Sequence, residues 1–358
     1  MRVANLTYHN ANNYGAILQA YALQNYLISK DIESEIIDFY PNIKENRVSN
    51  SLKHKAFKYL INPKDFIIKK RKQVKFDKFR RNCLNISSDI FYGDKQIKSN
   101  PPLYDIYIVG SDQIWNTDIS NKSEAYFLHF VKKGYKISYA ASIGKDQLNN
   151  VEKEYANKYL RHFDAVSVRE KQLQRVLKTE LSISAEHVLD PIFLLGKDEW
   201  KKIEHRSRLP KKYILCYMME FSDRLVKHTK DMARERDCTP LFISPSHSGY
   251  RGKQLKGLGP CEFLYVFANA NYICTNSFHG TAFSLIYKKD FNVIRHSSLN
   301  SRISSLLELV GLTERFLNGN QYKTKKIKYD GINDKLGIMI EKSKNYLNKH
   351  LPCSLESS

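Results

Sequence analysis

The amino-acid sequence predicts an α/β fold in which two Rossmann-like lobes face each other across a cleft. The chain has 358 residues, which is longer than one hydrophobic core normally supports and suits two lobes. Short, almost wholly apolar runs alternate with amphipathic segments, a pattern typical of a parallel sheet covered by helices on both faces. The alternation stops at a charged stretch, residues 197–212, and then begins again. The boundary between the lobes is therefore predicted there.

The first lobe, residues 1–196, begins with a predicted strand, loop and helix. Residues 3–8 form an apolar run, an asparagine-rich loop follows, and residues 16–27 carry apolar side chains near the 3.6-residue period of a helix. Further strands are predicted where apolar runs end in polar or glycine-bearing sequence, at residues 34–39, 104–109, 136–142 and 165–168. The last of these strands leads into a helix that begins at Glu170.

A strongly basic segment, residues 44–98, is predicted to be a helical insertion in the first lobe. It carries 16 Lys or Arg against 5 Asp or Glu, which is about half of the net charge of +21. Its centre places Phe76 and Phe79 among the cations at helical spacing. Such a helix suits binding to an anionic membrane, a diphosphate-linked substrate or nucleic acid. The alternative is a basic helix face that contacts only solvent. We expect a peripheral membrane contact and no nucleic acid, the contact being made by Lys69, Lys70, Arg71 and Lys72.

The second lobe, residues 197–330, repeats the alternation of strands and helices. Its apolar runs predict strands at residues 213–218, 240–243, 272–275 and 291–294. The periodic segments between them predict helices near residues 223–236, 261–269, 280–287 and 300–310. A C-terminal helix and tail, residues 331–358, are predicted as a separate segment.

Composition and short motifs argue against several classes of protein. The first residues lack the pattern of a signal peptide, and no apolar run approaches the roughly 20 residues of a membrane span. We therefore expect a cytoplasmic protein that meets a membrane only peripherally, at its inner face. The six cysteines form no Cys-x-x-Cys pair, and Cys216 and Cys274 lie in apolar runs, so neither disulfides nor a zinc site is expected. The first loop fits neither a Walker P-loop nor GxGxxG.

Candidate functional residues follow the predicted strands, because ligands of doubly wound sheets bind beyond the carboxyl ends of the strands. The loop after the first strand is rich in asparagine and suits recognition of hydroxyl groups. Its candidates are Asn12, Asn13 and Gly15.

Two later strand ends of the first lobe carry charged candidates. Asp112, followed by Gln113, suits a general base or a hydroxyl binder, and the alternative is an Asx turn or helix cap. Arg169 suits a bidentate grip on a carboxylate or phosphate. Its alternative is an ion pair with a neighbouring acid such as Glu170.

The strongest local pattern is Ser277-Phe278-His279-Gly280, where a predicted strand gives way to a helix. Ser277 can cap the helix, Gly280 allows close approach, and the helix start offers N–H groups to an anion. His279 suits a hydrogen bond to that anion or the role of an acid, and the alternative is a histidine satisfied inside the protein.

Six stretches, in this order and spacing, resemble the polysaccharide pyruvyl transferase family. They are LTYHNANNYGAILQAYALQNYL, DIYIVGSDQIWN, YAASIG, VSVRE, HVLDPIFLL and TNSFHGTAFSLIYKKDFNVI, and the resemblance runs from about Val3 to Leu309. It implies two lobes similar to those of GT-B glycosyltransferases. It also implies transfer of the pyruvyl group of phosphoenolpyruvate to a sugar of a cell-surface glycan or its lipid-linked precursor, without a metal or organic cofactor.

The resemblance carries two elements onto particular residues. The family's Ser-Phe-His-Gly element falls on residues 277–280 and its Val-Arg-Glu arginine on Arg169, and both are expected to address phosphoenolpyruvate. Thr281 and Arg295 complete the expected donor side. Asp112 is expected to act as base or to bind the acceptor hydroxyl, with Asn12, Asn13, Gly15 and Gln113 on the acceptor side.

Two other functions remain open at this point. One is a GT-B glycosyltransferase that uses a nucleotide sugar, although residues 272–281 hold no acidic residue that could grip a ribose. The other is a non-catalytic module that binds a glycan or polyanion through its basic helix. Where more distant family members carry glycine-rich loops, this chain has HNANNYG and GSDQIWN, so the acceptor sugar is not predicted.

Overall fold

A computed structural model describes residues 1–41, 63–244, 253–295, 300–317 and 325–351. The chain divides into two compact units. The first runs from Met1 to Leu194 and resumes at Ser343, and the second covers Leu195 to Lys342. Each unit holds one main parallel sheet. Within the described ranges, no helix is long and apolar enough to cross a membrane.

The sheet of the first unit has the strand order β3-β2-β1-β4-β5 and is parallel throughout. Its strands are β1 (Arg2–Leu6), β2 (Glu33–Tyr40), β3 (Ile86–Tyr92), β4 (Ile106–Val109) and β5 (Tyr135–Ser138). Two short parallel strands, β6 (Ser167–Val168) and β7 (Glu186–His187), continue it, because the Ser138 N–H donates to the carbonyl of Ala165 at 3.0 Å. This is the order of a Rossmann-like sheet, in which the direction of winding reverses between β1 and β4.

Among the described residues before Leu194, the first unit has the helices α1 (Tyr14–Ile28), α2 (Pro63–Cys83), α3 (Gly93–Ser99), α4 (Asn150–Tyr159) and α5 (Lys171–Leu181). Helix α2 is fixed by its aromatic side chains. The ring of Phe76 lies 5.3 Å from that of Tyr14, and the ring of Phe79 lies 5.6 Å from that of Tyr21. The helical spacing read from the sequence is therefore confirmed for this part of the basic segment.

The basic segment is not helical along its whole length. Residues 42–62 lie outside the described ranges, and residues 86–92 form β3, which pairs with β2. Only Phe91 of this strand is fully buried. Because β3 is an edge strand with Ser87, Ser88 and Asp89 in its middle, it lacks the apolar run that announces a buried strand. The described part of the segment, from residue 63, thus contains α2, the edge strand β3 and most of α3, and its being an insertion stays a prediction.

The second unit has the strand order β12-β11-β10-β8-β9, again parallel throughout. Its strands are β8 (Tyr213–Tyr217), β9 (Thr239–Ile243), β10 (Tyr272–Thr275), β11 (Phe291–Ile294) and β12 (Phe316–Leu317). Its helices are α6 (Lys197–Lys202), α7 (Asp223–Glu235), α8 (Pro260–Ala268), α9 (Phe278–Ile286) and α10 (Ser301–Val310). Every residue of β8, β10 and β11 is buried, which explains why their sequences are almost wholly apolar.

The C-terminal helix, α11 (Asp330–His350), is not a separate segment. From Ser343 onward it belongs to the first unit. The Tyr346 hydroxyl donates to the carbonyl of Ser138 at 2.9 Å, and the Ser343 hydroxyl accepts from the Leu189 N–H at 2.9 Å. Leu347 is fully buried there. The predicted α/β class with two Rossmann-like lobes is confirmed, and the cleft between them stays a prediction.

Candidate active site

Polar side chains of the first unit gather at the carboxyl ends of its strands around Arg169. Ser111 follows β4, Ser142 follows β5, Arg169 follows β6 and Asp190 follows β7. All four are buried. Because parallel strands end at one edge of the sheet, residues far apart in sequence meet there.

The Arg169 guanidinium is the centre of this cluster. Its Nη1 donates to Asp190 Oδ2 and also lies 3.3 Å from the Ser111 hydroxyl. Its Nη2 donates to the Ser142 hydroxyl at 3.0 Å. Asp190 also accepts from the Ser111 hydroxyl at 3.0 Å and from the Ile192 N–H at 3.1 Å.

Two further carboxylates lie close to Arg169. Asp112 Oδ1 is 3.9 Å from Nη2, and Glu170 Oε1 is 3.9 Å from Nε and accepts from the Ser142 hydroxyl. Burial lowers the pKa of Arg169, but the charges of Asp190, Glu170 and Asp112 outweigh it, so that the pKa is raised. Arg169 is thus a buried, charged and compensated cation whose main partner is Asp190, and its contact with a donor stays a prediction.

Asp112 and Gln113 are held in a strained turn. Both have positive φ, 39° and 61°, a region that side-chain-bearing residues enter rarely and at a cost of about 1–3 kcal/mol. Gly110 before them has φ 155° and lies so close to β5 that a Cβ would come within 1.9 Å of the Tyr139 carbonyl oxygen. The turn brings Asp112 to the carboxyl end of β4, beside Arg169, and its role as base or hydroxyl binder stays a prediction.

The asparagine-rich loop is organised by internal hydrogen bonds. Asn13 caps α1, its Oδ1 accepting from the N–H groups of Gly15 at 2.8 Å and Ala16 at 3.3 Å. Asn12 is exposed and contacts α2, because its side chain donates to Gln73 and accepts from Arg80 at 2.8 Å. Of the three candidates here, Asn12 is the one that the structure leaves at the surface.

In the second unit, the strand-to-helix element around Ser277 is built as the sequence indicates. β10 ends at Thr275, and Ser277 is the N-cap of α9, accepting from the Gly280 N–H at 3.3 Å. The Thr281 hydroxyl donates back to the Ser277 carbonyl at 3.0 Å. The first N–H groups of a helix have no intrahelical acceptor, so this end carries partial positive charge.

Gly280 is packed too closely to its neighbours to accept a side chain, and its part in donor binding stays a prediction. A Cβ at this position would come within 2.3 Å of Thr275 Oγ1 and 3.0 Å of the Tyr217 ring. The close approach that the sequence indicated is therefore between α9 and strands β8 and β10. It places the start of α9 directly against the sheet edge.

His279 and Phe278 occupy the first turn of α9 and are both buried. Their rings are 5.3 Å apart in an edge-to-face arrangement, and the Arg302 guanidinium lies 5.8 Å from the Phe278 ring. Arg295 follows β11, is exposed, and lies 4.7 Å from the Phe316 ring. The second unit thus offers a helix start, a buried imidazole and two arginines.

Sequence reasoning did not identify Asp190 as a candidate site residue. It follows β7 at the same sheet edge as the other candidates, so the rule that found Arg169 would have found it had the two-residue strand β7 been recognised. It also missed a buried pair beside the first loop, in which His9 Nε2 lies 2.8 Å from Asp38 Oδ1. No signal in the sequence links those two residues. Among the described residues, no group of three or more His, Cys, Asp or Glu could hold a metal ion.

Two doubly wound parallel sheets with polar carboxyl edges define an α/β protein of the GT-B-like type. Solved structures agree with this fold over nearly the whole chain. MnaA of S. aureus, solved with UDP, has a TM-score of 0.53 and 12% identity, covering 100% of this chain and 98% of its own. The UDP-GlcNAc 2-epimerase of Methanocaldococcus jannaschii, solved with UDP-GlcNAc and UDP, has a TM-score of 0.53 and 13% identity, covering 97% and 100%.

The chain belongs to the polysaccharide pyruvyl transferase family, whose model matches residues 13–298. This range contains the candidates of both units except Asn12. A comparison with curated proteins finds no match.

Proposed function

We propose that this protein transfers the pyruvyl group of phosphoenolpyruvate to two hydroxyls of a sugar, forming a pyruvate ketal and releasing phosphate. The acceptor sugar belongs to a cell-surface glycan or its lipid-linked precursor. The observation that carries the proposal is the family match over residues 13–298, which includes both the Arg169 cluster and the start of α9. Phosphoenolpyruvate carries a carboxylate and a phosphate, so its site needs fixed positive charge.

In this proposal the donor phosphate binds at the start of α9. The helix end supplies N–H groups and partial positive charge, and Arg295 supplies a full charge. Phe278 and His279 form the wall of the site. Because Gly280 and Thr281 are buried and packed within the unit, they contribute by fixing the helix start.

The reaction needs an acid and a base. A proton is delivered to the methylene carbon of the donor, which makes C2 electrophilic, and the first sugar hydroxyl bonds to C2. The C2–O bond to phosphate then breaks with its electron pair, and the second hydroxyl closes the ketal. Of the two protons lost by the hydroxyls, one replaces the proton delivered to the methylene and the other leaves with phosphate. We assign His279 as phosphate ligand or acid, and Asp112 as base or hydroxyl binder.

In this proposal, Arg169 positions Asp112, the base or hydroxyl binder of the first unit. Its guanidinium holds Asp112 within 3.9 Å while Asp190 compensates its charge. A carboxylate held at this position suits the acceptance of a proton from a sugar hydroxyl. Asn12 and Gln113 then orient the sugar at the same edge.

A second candidate is favoured by the fold comparisons. The similar structures were solved with UDP or UDP-GlcNAc, and a diphosphate would also suit the start of a helix. In that case the chain would be a glycosyltransferase that uses a nucleotide sugar.

Turnover with defined donors separates the two candidates. The purified protein is incubated with phosphoenolpyruvate, or with a panel of nucleotide sugars, and with free and lipid-linked glycans. The proposal predicts phosphate release from phosphoenolpyruvate together with an acid-labile mass gain on the glycan. Turnover with a nucleotide sugar and none with phosphoenolpyruvate would replace it with the glycosyltransferase.

A further inference from the structure

One face of helix α2 combines exposed cations with exposed apolar side chains. Positions three, four and seven apart share a face of a helix. Counted from Ile67, this rule puts six residues on one face, which we call the outer face of α2: Ile67, Lys70, Arg71, Val74, Lys78 and Arg81. All six are exposed, and none is acidic.

The opposite face of α2 packs against the first unit, so the outer face is the side that stays exposed. Phe76 and Phe79 are buried against α1. Lys72 belongs to this inner side, because its ammonium lies 4.6 Å from the Tyr14 ring and 5.2 Å from the Phe76 ring, and burial lowers its pKa. Lys72 thus covers aromatic rings on the inner side of α2, and its contact with a membrane stays a prediction.

The two apolar residues distinguish the outer face from an ordinary solvated one. Ile67 and Val74 are 49% and 51% exposed, and they are two turns apart with Lys70 and Arg71 between them. Asp77, at the border of the face, is compensated by hydrogen bonds from Arg80 at 2.7 Å and Gln73 at 2.8 Å. All charged residues of the outer face are thus basic, and Ile67 and Val74 lie among them.

Helix α2 also holds the first loop of the candidate site. Arg80 donates to the carbonyls of His9 at 3.0 Å, Asn10 at 2.8 Å and Ala11 at 3.1 Å. A single guanidinium therefore fixes three consecutive peptide units after β1. The same helix therefore carries the outer face and holds the loop that contains Asn12.

We propose that the outer face of α2 docks on an anionic lipid bilayer. Cations close to an anionic membrane surface attract its headgroups, and branched apolar side chains between them enter the boundary between headgroups and acyl chains. Nucleic acid would use the cations and leave Ile67 and Val74 in water. A bilayer uses both, and it would bring a lipid-linked glycan to the loop held by Arg80.

Vesicle binding by matched variants tests this surface. The full-length protein is mixed with phosphatidylcholine vesicles with and without phosphatidylglycerol, and the partition coefficient is measured at low and high salt. Lys70→Gln/Arg71→Gln/Lys78→Gln removes three charges from the outer face. Lys335→Gln/Lys342→Gln/Lys349→Gln removes three charges from exposed positions of α11. Ile67→Ser/Val74→Ser removes the apolar pair, and Ile338→Ser, at a residue 71% exposed, is its control.

The outer-face charge variant should lose about 100-fold in partitioning to anionic vesicles, whereas the α11 variant should bind like the wild type. The apolar double variant should lose about tenfold on vesicles and nothing on a single-stranded oligonucleotide. Equal losses in the two charge variants would overturn the proposal. So would full vesicle binding by the apolar variant, which would indicate a general polyanion surface. The assay contains no phosphoenolpyruvate or glycan, so its outcome is independent of the proposed reaction.

Discussion

Arg169 of the first unit and His228 of the second unit are both buried, but the protein accommodates them in opposite ways. In the first unit, Arg169 keeps its charge and is surrounded by Asp190, Glu170 and Asp112. In the second unit, His228 is fully buried beside Asn292 Nδ2 at 2.9 Å, and burial lowers its pKa to about 4. A buried group must be paired or must become neutral, because an isolated charge in a low dielectric is costly.

The difference indicates what each sheet edge can do. In the first unit, the charged cluster around Arg169 includes Asp112, 3.9 Å from Nη2, which suits the proposed binding of a hydroxyl. In the second unit, the positive end of α9 suits an anion. Within GT-B-like proteins this division suits an acceptor side in the first unit and a donor side in the second, as the proposed reaction requires.

The largest loss of stability is expected when the buried ion pair between Arg169 and Asp190 is broken. Asp190→Asn leaves the Arg169 cation without its main partner, and removing one member of a buried pair costs about 3–5 kcal/mol. Urea unfolding should show this loss. Ser111→Ala, which removes one neutral partner of the same carboxylate, should cost about 1 kcal/mol. If both variants were equally stable, the charge of Asp190 would not matter to the first unit.

A double variant sharpens this test. Arg169→Met/Asp190→Leu removes both charges, and replacing a buried pair by apolar groups is often neutral. The double variant should therefore be more stable than Asp190→Asn alone, while activity is lost because Asp112 is no longer held. A double variant that is less stable than the single one would mean that the network, and not the charge, stabilises the edge.

The neutral histidine of the second unit predicts a pH dependence. The pKa of His228 is about 4 when folded and about 6.5 when unfolded, so between these values the unfolded chain binds the extra proton. Its contribution is constant above pH 6.5, and stability falls by about 3 kcal/mol as the pH drops to 4.

Replacing this histidine by a group that does not titrate should remove that part of the acid dependence. His228→Gln is expected to lower stability at pH 7 but to flatten the curve between pH 6.5 and 4, as measured by urea unfolding at several pH values. His162→Gln, at an exposed histidine, is the control. Unchanged acid sensitivity in His228→Gln would contradict the neutral state of His228.

A smaller loss of stability is expected where α9 packs against the sheet. Gly280→Ala places a methyl group against Thr275 and should cost about 1–3 kcal/mol by overpacking. Thr275→Ala in the same chain should recover part of that loss. Gly337→Ala is the matched control, because nothing lies within 4 Å of the added Cβ and alanine favours a helix by about 1 kcal/mol. A Gly280→Ala variant as stable as the wild type would contradict the tight packing of α9 against Thr275 and Tyr217.

The sequence predicted the buried strands and the sheet edge that carries the candidate residues. It did not predict the elements that depend on pairing with distant parts of the chain. Strand β10 was found at residues 272–275 because all its residues are apolar or small and buried. Strand β3 was missed because an edge strand tolerates serine and aspartate, and β7 because two residues carry no periodic signal. The rule of carboxyl ends found Asp112, Arg169 and Ser277. The partner of Arg169 depends on the register of β6 and β7, which local sequence does not specify.

The most direct test of the account is the turnover of His279→Asn with phosphoenolpyruvate and a glycan acceptor. His129→Asn, at a half-buried histidine outside the site, is the matched control, and circular dichroism verifies the fold of both. Loss of a general acid or phosphate ligand predicts a fall of about 100- to 10,000-fold in the rate of phosphate release, with the control near the wild type. Undiminished ketal formation by His279→Asn would contradict the placement of the donor at the start of α9.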